Sequence, residues 1–76
     1  MLDMQKIGAQ RQQGEEVFVD LRKVIPSCNH AAEWQYGYLL IWDATPERPE
    51  IRLFCDMQKE GSWLVRVRRV TFGNDA

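Results

Sequence analysis

The side chains that could bind a metal ion or act as a nucleophile are few. Cys28 and His30 lie two residues apart, and Cys55 is distant from both. A structural zinc site usually needs four ligands in closely spaced pairs, so a carboxylate such as Glu33 or Asp56 would have to complete the set. A Cys–His nucleophile pair also needs a third group that orients the imidazole. The spacing therefore favours a solvated loop histidine and a core cysteine, and it predicts no metal or cofactor.

Motifs typical of enzymes are also missing from the sequence. It contains no Gly-rich phosphate loop, no nucleophile elbow and no HExxH pattern. Neighbouring carboxylates such as Glu15 and Glu16 fall at the edge of a predicted element, where solvated turn charges are common. A chain of 76 residues also has little volume with which to form a pocket. We therefore expect a protein that is not an enzyme.

Four arginines in the predicted strands could bind an anionic partner. They are Arg52, Arg66, Arg68 and Arg69. On an exposed strand such charges discourage edge-to-edge aggregation, and on a binding face they pair with an anionic partner. Three acidic residues, Asp20, Glu50 and Asp56, lie nearby in the predicted sheet, and the formal net charge is −1. Because these charges weaken attraction to phosphate, an acidic protein surface is favoured over nucleic acid.

Large residues occupy every second position in the middle of the chain. They are Trp34, Tyr36, Tyr38, Leu40 and Trp42. Side chains alternate between the two faces of a strand, so these five are predicted to line one side of a sheet. The intervening residues are apolar at their centre, at Leu39 and Ile41. Such a strand is either enclosed in the fold or presents one face to a partner.

The alternation of apolar and polar residues predicts four strands. Their ranges are 16–25, 35–43, 50–57 and 62–72. Residues 1–14 form a weakly defined arm, for which a loose segment, a frayed helix and an extra edge strand are open alternatives. After Pro26, Ser27 is predicted to cap a short helical turn over 29–33. Short connections favour antiparallel neighbours.

The predicted fold is therefore a single domain over residues 1–76, mainly β or α+β. It is a four- to five-stranded antiparallel meander or a small half-open barrel, with a short helical element. A turn at 58–61 is predicted to pair the last two strands. The expected neighbours are Met57 with Trp63, Cys55 with Val65, and Leu53 with Val67. That aliphatic face is predicted to be the core, which leaves Phe54 and the arginines on the reverse face.

The register of the 35–43 strand is left open by its proline-rich loop. If Trp42 stands opposite Ile51, the aromatic row joins the core. If Ile41 stands opposite Ile51, the aromatic row joins Phe54 and the arginines on the other face, because a one-residue slip exchanges the faces. The second register gives a surface typical of protein-binding hot spots and of nucleic-acid stacking platforms.

These features favour a non-catalytic binding protein. The expected function is that of a small regulator or inhibitor that covers a site on a larger protein or nucleoprotein target, for instance a viral or mobile-element inhibitor of host defence. The alternative is a β-sheet protein that binds single-stranded nucleic acid, although the glycine–aromatic signature of sheet-based RNA binders is absent. The predicted partner-binding residues are Trp34, Tyr36, Tyr38, Trp42, Arg52, Phe54, Arg66 and Arg68.

Location and assembly are constrained more loosely. The sequence has no run of the ~20 apolar residues that cross a bilayer, so no membrane partner is expected. The start of the chain lacks a secretory pattern, and two cysteines cannot form a disulfide framework. A cytoplasmic protein is therefore expected. A homodimer that hides the aromatic row between two copies is a further alternative.

Overall fold

A computed structural model describes residues 2–73. Two short helices and five strands make up this part of the chain. In order they are helix α1 (Met4–Gln12), strand β1 (Phe18–Asp20), helix α2 (Leu21–Val24) with a 3-10 turn (Ile25–Ser27), and strands β2 (His30–Trp34), β3 (Gly37–Trp42), β4 (Ile51–Asp56) and β5 (Leu64–Phe72).

The five strands form one open antiparallel sheet in the order β1-β5-β4-β3-β2. Strands β2 to β5 are a meander, and β1 joins it at the β5 edge. The predicted antiparallel fold with mainly β structure is thus confirmed. The sheet does not close into a barrel.

One face of the sheet, called the inner face here, carries the core. Both helices lie on this face, since their buried residues pack in the same cluster as the buried strand residues. The cluster comprises Met4, Ile7, Val19, Leu21, Val24, Leu40, Trp42, Leu53, Cys55, Val65 and Val67. The opposite, outer face has neither helix packed on it.

Helix α1 resolves the open alternatives for the N-terminal arm. The side chain of Asp3 accepts a hydrogen bond of 3.0 Å from the Lys6 N–H and thereby caps the first turn. Met4 and Ile7, three positions apart, bury one short stripe. The helix packs directly on β5, since a Cβ at Gly8 would be in ordinary van der Waals contact with the Val70 Cβ at 3.5 Å.

The predicted strand 16–25 is wrong beyond Asp20. The carboxylate of Asp20 accepts a hydrogen bond of 2.9 Å from the Arg22 N–H, so the chain turns into α2 at this point. Leu21 and Val24 then face the core with the three-residue spacing of a helix. The backbone N–H of Leu21 donates to the Trp63 carbonyl at 2.9 Å, which ties α2 to the start of β5.

The predicted helical turn over 29–33 is also wrong, because this segment is strand β2. It pairs along its whole length with β3, from His30 opposite Ile41 to Trp34 opposite Gly37. Only Gln35 and Tyr36 connect the two strands. A tight hairpin therefore overrides the weak local preference of two alanines for a helix.

The register predicted between the last two strands is wrong by two or three residues, although the core face is as predicted. Cys55 pairs with Val67 rather than Val65, and Leu53 pairs with Val70 rather than Val67. A β-bulge lies between these two pairs and leaves one residue of β5 without a direct partner. The side chains of β5 therefore change phase between Val67 and Val70.

The open register of the aromatic strand is settled by β3 and β4. Trp42 stands opposite Ile51, as in the first alternative, so Tyr38, Leu40 and Trp42 face the core. Trp34 does not follow them, because the hairpin places it on a different strand from β3. The aromatic row of the sequence is thus divided between the two faces of the sheet.

Gly37 gives a test of this hairpin. Its φ is +150°, and a Cβ here would overlap the Cys55 carbonyl oxygen. We expect Gly37→Ala to lower the free energy of unfolding by about 3 kcal/mol or more, since the backbone of β3 or β4 must move. Gly61→Ala is the matched control, with a φ of +77° and no atom within 4 Å of its Cβ. It should cost only about 1 kcal/mol in urea denaturation. If both variants lost the same free energy of unfolding, the close packing of Gly37 on β4 would be contradicted.

The cap of α2 gives a pH-dependent prediction. Hydrogen bonds from Arg22 lower the pKa of Asp20 from its ordinary 3.8. A carboxyl group whose folded pKa is lowered adds stability above its unfolded pKa and loses it as the pH falls through the folded value. We expect Asp20→Asn to melt at a lower temperature than wild type at neutral pH. The difference between the two melting temperatures should become smaller below pH ~4. Glu60→Gln, in an exposed turn, should follow wild type at every pH. If the difference in melting temperature between Asp20→Asn and wild type were the same at every pH, the proposed cap would be contradicted.

Candidate partner-binding face

The outer face carries a group of rings and guanidinium groups, here called the aromatic–arginine cluster. Its members are Trp34, Tyr36, Phe54, Arg68 and Arg69. Three separate features bring them together: the end of β2 and its hairpin turn, the middle of β4, and the bulge in β5. The cluster therefore depends on sheet register and not on proximity in the sequence.

Trp34 is the centre of the aromatic contacts. Its ring centroid lies 5.1 Å from that of Tyr36 and 6.4 Å from that of Phe54, and both pairs are edge-to-face. Edge-to-face contacts at such distances are favourable because the positive ring edge meets the negative face. Phe54 lies two strands away, so this contact passes over β3.

Two arginines from the bulge complete the cluster. The guanidinium carbon of Arg68 lies 6.0 Å from the Trp34 ring centroid and 5.8 Å from that of Tyr36. The guanidinium of Arg69 lies closer to a ring, with its carbon 4.5 Å from the Phe54 centroid. These distances fall within the range of cation–π attraction. Because of the bulge, the side chains of two consecutive arginines lie on the same face.

Most of the positive charge on this face is already paired. Asp56 accepts from Arg66 at 2.7 Å and lies 3.4 Å from Arg68. This contact with Asp56 raises the pKa of Arg66. A second carboxylate, Glu16, approaches Arg66 at 4.0 Å. All these side chains are substantially exposed, so each ion pair adds little stability.

Arg69 differs from its neighbours in this respect. No carboxylate of residues 2–73 lies within ion-pair distance of its guanidinium, whereas Arg52 contacts Glu50 at 2.8 Å. Arg69 is also exposed. Its charge is thus held in place by the Phe54 ring and is available to an anion outside the described fold.

The structure divides the eight predicted partner-binding residues. Six lie on the outer face: Trp34, Tyr36, Arg52, Phe54, Arg66 and Arg68. The other two, Tyr38 and Trp42, lie on the inner face, so the expectation that they join the arginines is corrected. The Tyr38 hydroxyl donates to the Gln58 side chain at 3.4 Å, and Trp42 is only 9% exposed.

Sequence reasoning left Arg69 out of the predicted interface. Its signal is the interruption of alternation in Val65–Arg66–Val67–Arg68–Arg69–Val70, where two arginines replace one. Such a doubled polar position between apolar ones is what a bulge produces. Phe18 and Leu64 were missed as well: they are 52% and 57% exposed at the β1 end of the same face.

The inner face also contains an open cleft. It has a volume of about 1400 Å³, and Trp42, Ile51 and Phe72 contribute to its apolar lining. Most of the polar residues that line it already form hydrogen bonds within the fold. Asp3 caps α1, and an Arg48 N–H donates to the Asp43 carbonyl at 2.8 Å. The cleft therefore offers apolar area but few free polar groups that could orient a ligand.

The cysteines are not activated for chemistry. Burial raises the pKa of the Cys55 thiol to about 12. Burial also raises the pKa of Cys28, whose thiol donates to the Ile25 carbonyl at 3.1 Å. Within residues 2–73 no three His, Cys, Asp or Glu side chains are grouped so that they could hold a metal ion. Both thiols are therefore protonated at neutral pH, which makes them poor nucleophiles.

Comparison with protein-family models, with curated proteins and with solved structures finds no match. In the part of the chain that the structure describes, no helix is long and apolar enough to cross a membrane.

The three tryptophans report on the two faces. Trp34 and Trp63 are 39% and 49% exposed, whereas Trp42 is 9% exposed. We expect iodide to quench Trp34 and Trp63 and to leave a blue-shifted component from Trp42. Trp42→Phe should remove the protected component, and Trp34→Phe should reduce the quenchable one. If Trp34→Phe instead removed the protected component, the assignment of faces would be wrong.

Proposed function

We propose that this chain is a non-catalytic binding protein that uses the outer face of its sheet to cover an acidic site on a larger protein. The observation that carries the proposal is the aromatic–arginine cluster on a face that neither helix covers. Burial of such a face against a partner would remove exposed rings from water and satisfy an available cation. Aromatic residues and arginine are the types enriched at interface hot spots.

The rings are exposed and packed against other members of the cluster, which suits them for binding. Trp34 and Tyr36 are 39% and 54% exposed, yet each is in contact with other members of the cluster. A partner would therefore gain ring contacts without first having to order freely rotating side chains. Such preorganisation lowers the entropic cost of association. Trp34, at the centre of the cluster, is the expected anchor.

Charge supports an acidic protein as the partner. Arg66 and Arg68 share Asp56, so a partner gains little from them unless it displaces that carboxylate. Arg69 has no such competitor in the described chain, and one carboxylate of the partner would satisfy it. Charge-assisted pairs of this kind are strongest where the interface excludes water. The proposed complex thus combines an aromatic anchor with one directed ion pair.

Occlusion requires no catalytic group and only a small rigid domain. The proposed role is therefore that of a regulator or inhibitor, either cellular or encoded by a virus or mobile element. The sheet offers a face five strands wide. With strands about 4.8 Å apart, this face spans roughly 19 Å, which is enough to cover a groove or an active-site mouth on a larger protein.

Single-stranded nucleic acid is the second candidate partner. The observation that favours it is the placement of exposed rings beside arginines on an open sheet face, as in stacking platforms. The edge-to-face arrangement of Trp34 and Tyr36 is less suited to it, because two bases would need two accessible ring faces. The carboxylate of Asp56 within the same face would also repel phosphate.

The test begins with capture of a partner by the tagged full chain from an extract of its source organism. The purified partner is then titrated with wild type, Trp34→Ala and Arg69→Ala by calorimetry. Loss of a central aromatic anchor costs ~2–4 kcal/mol, so we expect Trp34→Ala to weaken binding roughly 30- to 1000-fold. Arg69→Ala should weaken binding by about tenfold or more. Lys59→Ala, in the exposed turn before β5, is the control and should bind as wild type.

An oligothymidine titration over a salt series separates the two candidates. We expect no binding at physiological salt if the partner is an acidic protein. Tight binding whose logarithm falls steeply with the logarithm of salt concentration would favour the nucleic-acid candidate instead. If Trp34→Ala and Lys59→Ala bound the captured protein equally well, the cluster would not be the interface.

A further inference from the structure

The open edge of the sheet at β2 supports an inference that goes beyond the proposed function of the outer face. We propose that two copies of this chain pair through their β2 strands. The strands run antiparallel, and the twofold axis passes beside Ala32, so that two five-stranded sheets join into one of ten strands. The partner is thus a second copy of the chain.

Strand β2 has the properties of an edge that accepts another strand. It is the last strand of the sheet, and all five of its residues are exposed. Its sequence, His30-Ala31-Ala32-Glu33-Trp34, contains no proline and no lysine, and its pairing with β3 has no bulge. Proline, lysine and bulges are three of the devices that prevent edge pairing, and Glu33, on the inner side of the strand, is the one acidic side chain of β2 that opposes it. Two alanines at its centre also allow a close approach.

The opposite edge of the sheet is protected, which limits how copies can assemble. Strand β1 has only three residues and turns directly into α2 at Leu21. Growth of a fibre would require the β2 edge of one copy to pair with the β1 edge of the next. Pairing of β2 with β2 instead uses the same patch twice and closes as a dimer.

The charge pattern of β2 selects the register. An axis beside Ala32 places Ala32 opposite its own copy, Ala31 opposite Glu33 of the second copy, and His30 opposite Trp34 of the second copy. No two like charges then face each other. An axis beside Glu33 would set two carboxylates directly opposite, which destabilises a strand pair. An axis beside Ala31 would pair fewer residues of the strand.

The strength of the dimer follows from its size. Five residues on each side form a contact much smaller than the ~800 Å² per partner of a standard interface. We therefore expect a concentration-dependent dimer in rapid exchange with the monomer. In the dimer the two outer faces lie side by side, and Trp34, at the end of β2, is the one member of the aromatic–arginine cluster whose strand takes part in the pairing. The substitutions that test the dimer are at positions 31 and 32, outside the cluster, so failure of one proposal can be distinguished from failure of the other.

The experiment is sedimentation equilibrium over a concentration series that reaches the millimolar range. We expect wild type to dimerise and Ala32→Glu and Ala32→Lys each to raise the dimer dissociation constant roughly fivefold, because like charges then meet at the axis. An equimolar mixture of the two variants should recover dimerisation as a heterodimer. Position 32 is exposed, so circular dichroism should show both variants folded.

The register is tested by Ala31→Lys, which places a lysine opposite Glu33 of the second copy. We expect it to lower the dissociation constant, whereas Ala31→Glu should raise it. A wild type that is monomeric over the whole series would overturn the proposal. So would a dimer that is insensitive to charge at positions 31 and 32, since its contact would then lie elsewhere, for instance between two outer faces.

Discussion

The fold depends on one constraint: the described chain has too few residues outside the sheet to cover both of its faces. A five-stranded sheet has two faces, and the described chain has only two short helices with which to cover them. Both helices pack on the inner face, where Leu40, Leu53 and Val67 are completely buried. Hydrophobic burial on this one face is the dominant stabilising term for so small a domain. The outer face is left to solvent or to a partner, and the proposed function starts from that asymmetry.

Two features of pairing decide which side chains the uncovered face presents. The alignment of Trp42 with Ile51 sends the aromatic residues of β3 into the core, while the hairpin before Gly37 leaves Trp34 and Tyr36 outside. The bulge in β5 then brings two consecutive arginines to the same side. The rings and cations thus meet through backbone geometry, which fixes their positions more firmly than flexible loops would. The same meander leaves β2 as an open edge, which gives a second, separate route to association.

The sequence contains enough information for the architecture and for one face. Alternation in residues 50–57 and 62–72 predicts two strands and their shared core, and the structure bears this out. Alternation alone does not fix the register across the bulge, whose one signal in the sequence is the doubled arginine, Arg68 and Arg69, between Val67 and Val70. Nor does it reveal β2, because its alanines carry no alternation and its pairing depends on the turn at Gln35 and Tyr36. Only part of the candidate site could be predicted from the sequence, for the same reason. The positions of Phe54 and Arg66 follow from alternation, whereas those of Tyr38 and Trp42 depend on a register that their own strand does not encode.

The central claim is that Trp34 belongs to the outer face and lies against Phe54. Nuclear Overhauser spectroscopy on the isotope-labelled chain tests it most directly, because it reports distances between ring protons. We expect cross-peaks from the Trp34 indole to the Phe54 and Tyr36 rings, and from the Trp42 indole to the methyl groups of Ile51. Cross-peaks from Trp34 to the methyl groups of Leu53 or Val65 would place this ring in the core and contradict the account.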